Sequence, residues 1–155
     1  MLDLAALKKT YLVVGLSDAQ IEEIASLATM KRFLPQETLI RSGEQSSDLY
    51  LILEGRLNVL TSDGQKLSEV GPGSILGEIA LIDARPRTAN VVCTGLVDAA
   101  VIPAKELRAK MNANREWGFV VLANLSRVLA GRLRVANDKI DELYDKTTDT
   151  WDNAL

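Results

Sequence analysis

The spacing of apolar positions changes period twice along the chain. Ile21, Ile24, Ala25, Leu27 and Ala28 fall at helical spacing behind Ser17-Asp18-Ala19-Gln20. Ser17 can cap the free amides of a helix there while Gln20, three residues on, reaches back to close a capping box. The pattern predicts a helix ending near Lys31 and Arg32, whose positive charges suit its negative end. From Phe33 to about Ile102 the chain breaks into short apolar runs separated by turn residues. Thr38–Ile40, Asp48–Leu53, Arg56–Thr61, Lys66–Val70, Asn90–Thr94 and Asp98–Ile102 read as strands. Asp63-Gly64 is a hairpin turn signal, because both residues tolerate positive φ. Many short strands at close spacing predict an antiparallel barrel or jelly roll.

After Pro103 the helical period returns, with a short helix over Ala104–Met111 and a long one from Asn114 to about Asp145. Along the long helix, Leu122, Ser126, Leu129, Leu133, Ala136, Ile140 and Leu143 recur at alternating steps of four and three. That is a heptad seam, and it predicts a homodimer through the 114–145 helix, with packing on its own barrel as the alternative. The polar tail over 146–155, with Trp151 as its large aromatic residue, is expected to be loosely ordered. The expected organisation is an N-terminal helical segment over 1–32, a β domain over 33–103, helices over 104–145 and the tail.

Composition narrows the chemistry more than the fold. With 47% hydrophobic and 25% charged residues, the 155-residue chain is of ordinary globular make-up and long enough for a real core. A net charge of −3 gives no overall pull toward nucleic acid or anionic membranes. There is no histidine and a single cysteine, Cys93, which reads as a small buried hydrophobe within a strand. These absences remove histidine-based nucleophilic catalysis, the usual zinc ligand sets and any intramolecular disulfide. The apolar runs are too short and too broken by charge to span a bilayer. The N-terminus has its acid early and its lysines late, the reverse of a secretory signal, so a cytoplasmic location is expected. Arg127, Arg132 and Arg134 on the long helix read as a solvated face.

The stretch richest in chemistry is Gly71 to Ala89. Gly77 permits close backbone approach, and Ile79–Leu81 resembles one helical turn with outward amides, an arrangement suited to an anion. Arg87, turned back by Pro86, offers a planar fork to a phosphate, and Thr88 adds a hydroxyl. Glu78 is a poor neighbour for a phosphate but a good acceptor for sugar hydroxyls. A ligand with one phosphate and an adjacent ribose fits this set. A structural ion pair between Glu78 and Arg87 is the alternative.

Leu76-Gly77-Glu78-Ile79-Ala80-Leu81 with Arg87-Thr88-Ala89 resembles the phosphate-binding cassette of cyclic nucleotide-binding domains. Upstream, Gly43-Glu44, Asp48-Leu49-Tyr50 and Gly55 are similar to the family's early strands and turns. Downstream, Leu133 to Leu143 is similar to the long helix of the bacterial cyclic-AMP receptor protein family. The resemblance covers roughly Phe33 to Leu143. It implies a mainly β fold with flanking helices, an antiparallel jelly roll (double-stranded β-helix) followed by a long C-terminal helix. It also implies that Arg87 pairs with a cyclic phosphate, that Glu78 accepts from the ribose 2′-hydroxyl, and that amides of Gly77, Ile79 and Ala80 complete the cradle. Thr88 would touch phosphate and base, Val59 and Val70 would wall the pocket, and Ala136 and Asn137 would meet the base. Two positions depart from the family pattern. Leu76 stands where phenylalanine is common, and Ala136 replaces a hydroxyl-bearing residue, leaving Asn137 as the polar group from that helix.

The function this implies is a regulatory sensor that binds cyclic AMP or cyclic GMP, not an enzyme, with no cofactor, and transmits binding through the C-terminal helix. A structural protein with a decayed pocket, dimerising through that helix, is the alternative. The twelve residues after Leu143 are too few for a DNA-binding module, so no direct nucleic-acid contact by this chain is expected; it reads as either a stand-alone sensor, which could act on an unknown effector protein, or a piece of a larger regulator.

Overall fold

In the computed structural model, residues 1–83 and 85–152 are described, with side chains given as far as Thr147. Four helices, α1 (Leu4–Lys8), α2 (Asp18–Ala25), α3 (Ala104–Ala113) and α4 (Arg115–Asp152), flank eight strands. The strands are β1 (Thr29–Phe33), β2 (Thr38–Ile40), β3 (Asp48–Glu54), β4 (Leu57–Leu60), β5 (Lys66–Val70), β6 (Ile75–Leu76), β7 (Asn90–Cys93) and β8 (Val97–Pro103). They form two four-stranded sheets of order β1-β8-β3-β6 and β2-β7-β4-β5, with antiparallel pairing throughout. Two facing sheets with these crossovers are a jelly roll, as the chain's turn spacing and its family resemblance led one to expect.

The central strands explain why their sequence reads as a continuous apolar run. In β3, Tyr50 and Ile52 point between the sheets, where they meet Phe33, Leu57, Cys93, Val97 and Ala99. Leu49 and Leu51 point to the opposite face, where α1, α2, α3 and the first half of α4 cover the sheet. Strand alternation therefore buries both faces, and neither can be polar. Cys93 is fully buried in the inter-sheet core.

The capping box at Ser17 forms in both directions: Gln20 N–H donates to Ser17 Oγ, and Ser17 N–H donates to Gln20 Oε1. The helix it opens ends at Ala25, short of the expected Lys31 and Arg32. Thr29–Phe33 instead pairs with β8, from Thr29 opposite Val101 to Phe33 opposite Val97, so the sheet begins before residue 33. The strand was hidden because it lies at a sheet edge with only Phe33 buried, and so shows no apolar alternation. Arg32 answers Asp98 across the strands with two hydrogen bonds of 2.7 and 2.8 Å and does not serve a helix end. The two-residue β6 was also invisible to spacing; it exists only through its pairing with Tyr50 and Leu51.

Helix α4 has two regimes. Trp117, Val121 and Leu125 recur every fourth residue and are buried in the helical core, each contributing about 2–3 kcal/mol of apolar burial. Beyond the partly buried Leu129 the helix leaves the barrel, and Leu133, Val135, Ile140, Leu143 and Tyr144 are exposed. The expected loose tail is helical instead as far as Asp152, while 153–155 lie outside the described residues. No proline or glycine follows Gly131 to stop the helix, and extending one already formed costs little. No helix among the described residues is long and apolar enough to cross a membrane.

Candidate functional site: a cavity around Arg87 and Glu78

A cavity of about 420 Å³ opens where the end of β6 meets α4. Ile40, Val59, Leu76 and Val91 from the β-sandwich make its apolar wall. Gly77, Glu78, Ile79, Ala80, Arg87, Thr88 and Ala89 line the other side, with Asp83, Arg85 and Pro86 at the loop and Arg132 reaching in from α4. Its size lies within the range of small-molecule sites.

The backbone leading into the cavity turns at Gly77, whose φ of 79° lies in the left-handed region. Glu78–Leu81 then forms the short 3₁₀ turn expected from sequence, closed in part by the Ala80 N–H donating to the Gly77 carbonyl at 3.1 Å. That bond occupies one of the three amides expected to face a ligand. A Cβ at Gly77 would lie 2.6 Å from the Asp48 carbonyl oxygen and 2.8 Å from Arg87 Nη1. The glycine is thus required by the approach of the Asp48 carbonyl as well as by the turn itself.

Arg87 is held from three directions. Its backbone N–H donates to the Glu44 carbonyl at 2.9 Å, and its carbonyl accepts from the Gly43 N–H at 2.7 Å. Its side chain donates from Nη1 to the Gly77 carbonyl at 3.1 Å and from Nη2 to the Asp48 carbonyl at 2.6 Å. Gly43-Glu44 and Asp48, which carry part of the family resemblance, act here through their backbones to orient one guanidinium. Both side-chain acceptors are neutral, and the Nε–H is buried without a hydrogen-bond partner. No carboxylate pairs with Arg87 among the described residues. A partly buried cation in this situation favours an incoming anion.

Glu78 does not pair with Arg87. Its carboxylate is 5% exposed and accepts a hydrogen bond from Arg132 Nη1, whose side chain is 54% exposed. This corrects the placement of Arg132 on a merely solvated face. Its position on the outer half of a helix carried no sign of the contact, since Glu78 is 54 residues away in sequence. Asp83 and Arg85 pair with each other at 3.4 Å. Of the three arginines lining the cavity, two are therefore matched by carboxylates and Arg87 is the one left over.

Three residues expected at the ligand lie elsewhere. Val70, opposite Leu57 on the outer strand β5, packs against the inter-sheet core and does not line the cavity. Ala136 and Asn137 are exposed, four and five residues beyond Arg132 and so about 6 and 7.5 Å farther along α4, after the helix has left the barrel. Among the described residues no cluster of three histidine, cysteine or carboxylate side chains could hold a metal ion.

A family profile described as the cyclic nucleotide-binding domain matches residues 30–114. The chain belongs to the cyclic nucleotide-binding domain family. This is a regulatory family, and the match begins within β1 and ends just after α3, so the sandwich apart from Thr29, and the whole cassette, lie inside it. Among solved structures, a cyclic nucleotide-binding domain from Methylobacillus flagellatus shares 26% identity at a TM-score of 0.76, covering 88% of this chain and 83% of its own. The catabolite activator protein of Thermus thermophilus shares 25% identity at a TM-score of 0.73, covering 86% of this chain and 63% of its own. Among curated relatives, glutaminase 2 of Bradyrhizobium diazoefficiens is 28% identical over 132 residues, which are 85% of this chain. Potassium channel KAT3 of Oryza sativa subsp. japonica is 30% identical over 121 residues, 76% of this chain. The chain spans about a fifth of the glutaminase (21%) and about a quarter of the channel (24%). The cyclic nucleotide-binding domain thus recurs as one part of larger and chemically unrelated proteins.

Proposed function

We propose that this chain is a non-catalytic sensor of a cyclic mononucleotide, cyclic AMP or cyclic GMP. Arg87 carries the assignment, because it is a positioned guanidinium lining a cavity with no carboxylate to neutralise it. A cyclic phosphodiester brings a single negative charge, which matches the one unmatched arginine. The phosphate lies against Arg87, Thr88 and the amides of Gly77 and Ile79. Glu78 accepts from the ribose 2′-hydroxyl. Leu76, Ala80, Ala89 and Val59 pack against the remaining surface of the ligand. Val70 and Asn137 are left out of the contact set.

Helix α4 is the output element. Arg132 ties it to the ribose-binding carboxylate, and the exposed Leu133, Ile140 and Leu143 offer a seam to a second copy. A ligand competing for Glu78 changes what holds α4 at the pocket, which is the differential contact that a binding-driven switch requires. No span of the chain enters a membrane in this scheme, the protein works in the cytoplasm, and the downstream partner is an effector protein or a further domain.

Calorimetric titration with cyclic AMP and, separately, cyclic GMP tests the assignment. Saturable binding of either is expected, and Arg87→Ala should weaken it by a hundredfold or more, on the order of 3 kcal/mol for a charge-assisted phosphate contact. Unchanged affinity in Arg87→Ala would rule the assignment out.

A further inference from the structure

Helix α4 leaves one long face uncovered, and a groove at its foot is shaped to receive the far end of another such helix. The seam of Leu122 to Leu143 gains one more position at Phe119, three residues before Leu122. Phe119 is 72% exposed, and Leu122, Leu133, Ile140 and Leu143 are exposed as well, whereas Trp117, Val121 and Leu125 on the other side of the helix are buried. The polar seam position, Ser126, already donates its hydroxyl to the Leu122 carbonyl at 2.8 Å, so covering it leaves no donor unpaired. The seam spans residues 119–143, about 36 Å of helix.

At the inner end of the seam lies a groove of about 310 Å³ between α3, α4 and the cassette turn. Leu81, the last residue of that turn, lines it together with Met111, Phe119 and Leu122. Arg108 and Arg115 line the same groove, and neither has a carboxylate partner among the described residues. The groove is thus apolar and positively charged. The outer half of α4 is apolar and negatively charged. Residues 115–134 carry Arg115, Arg127, Arg132 and Arg134 against Glu116, a net charge of +3. Residues 135–147 carry Asp138, Asp141, Glu142 and Asp145 against Lys139 and Lys146, a net charge of −2. Two copies of α4 laid parallel set like charge against like along the seam. Laid antiparallel, each acidic outer half lies beside a basic inner half.

We propose that α4 pairs antiparallel with α4 of a second copy, the partner's Ile140 and the partner's Leu143 filling the groove and its acidic outer half facing Arg108 and Arg115. The heptad spacing sets the register. Phe119, Leu122, Ser126 and Leu129 meet, in turn, the partner's Leu143, the partner's Ile140, the partner's Ala136 and the partner's Leu133. The dyad passes near residue 131, beside Arg132, which keeps its own Glu78 as counter-ion. The partner's helix end then rests against the turn that carries Glu78, so occupancy of one cavity bears on the seating of the other copy. This rests on the self-association of α4 proposed above and gives it a direction and a seat.

Disulfide trapping on the full chain tests the direction, because the native Cys93 is fully buried and does not compete. Phe119→Cys and Leu143→Cys, both at exposed positions, are oxidised separately and as an equimolar mixture. The antiparallel register puts residue 119 against the partner's residue 143 and holds the two copies of residue 143 about 36 Å apart, far beyond disulfide reach. A covalent dimer is expected in the mixture and in neither variant alone. Cross-linking of Leu143→Cys to itself, or a dimer that gives no cross-link in the mixture, would overturn the antiparallel seat while leaving self-association in place. A wild-type chain that sediments as a monomer at every concentration would overturn both. As a second measurement, the double change Arg108→Glu and Arg115→Glu should raise the dimer dissociation constant on the order of tenfold, since each exposed ion pair contributes little and the symmetry repeats it. An unchanged constant would count against the proposal. None of these readouts uses nucleotide, so a failure of the sensor assignment leaves them intact.

Discussion

Replacing Gly77 by alanine separates two reasons for a glycine in the cassette. The first is the left-handed backbone at φ 79°, which costs a residue with a side chain about 1–2 kcal/mol. The second is crowding, because the new methyl would lie 2.6 Å from the Asp48 carbonyl oxygen, and 2.8 and 3.1 Å from Arg87 Nη1 and Nη2. The guanidinium can retreat, but Asp48 belongs to the central strand β3 and its carbonyl cannot, so overpacking adds roughly 1–3 kcal/mol. Gly73 provides the control, with φ 86° and nothing within 4 Å of its virtual Cβ, so Gly73→Ala should show the backbone cost alone. Summed, Gly77→Ala should lose about 2–5 kcal/mol, which for a domain of this size is a melting-point drop of about 4–20 °C, against about 2–8 °C for Gly73→Ala. Differential scanning calorimetry of the two variants measures the difference. Nucleotide affinity should also fall in Gly77→Ala, because the displaced guanidinium loses its hydrogen bonds to Asp48 and Gly77. Equal melting temperatures for the two variants, together with unchanged affinity, would refute the claim that close packing against Asp48 and Arg87 demands this glycine.

Two further outcomes follow from contacts away from the cavity. Asn124→Ala removes two hydrogen bonds from a buried amide to the N-terminal turn and should cost about 2–3 kcal/mol, with earlier proteolytic cleavage around residues 10–16; cleavage at the wild-type rate would count against this anchoring. The Arg32 guanidinium holds the Asp98 carboxyl below its ordinary range, so this pair contributes stability above that range and loses it as pH falls through the lowered folded value. The melting-temperature gap between wild type and Asp98→Asn should therefore be present at neutral pH and narrow as pH falls below the ordinary aspartate range, and a gap independent of pH would rule the linkage out.

Much of the fold was legible because its signals are local. The capping box at Ser17, the hairpin at Asp63-Gly64 and the helical stripes after Pro103 each depend on residues a few positions apart, and each formed as read. The cassette was legible for a related reason: Gly77 to Ala80 is one turn, and its spacing to Arg87 is short. Strands β1 and β6 were not legible. One is an exposed edge strand and the other is two residues long, and both are strands only because β8 and β3 present unpaired backbone beside them.

What the sequence by itself determined was the set of groups: a glycine-led turn, one acid and one arginine close to it in the chain, and a chain without histidine. Which of these groups meet was a tertiary matter. Glu78 and Arg87 are nine residues apart yet do not pair, because Arg87 is turned onto the carbonyls of Asp48 and Gly77 while Glu78 is claimed by Arg132 from a distant helix. Nothing in the local pattern around Arg132 marks it as a neighbour of the cavity. Its place there follows from how α4 passes beside the cassette turn, and such long-range packing leaves no periodic trace along the chain.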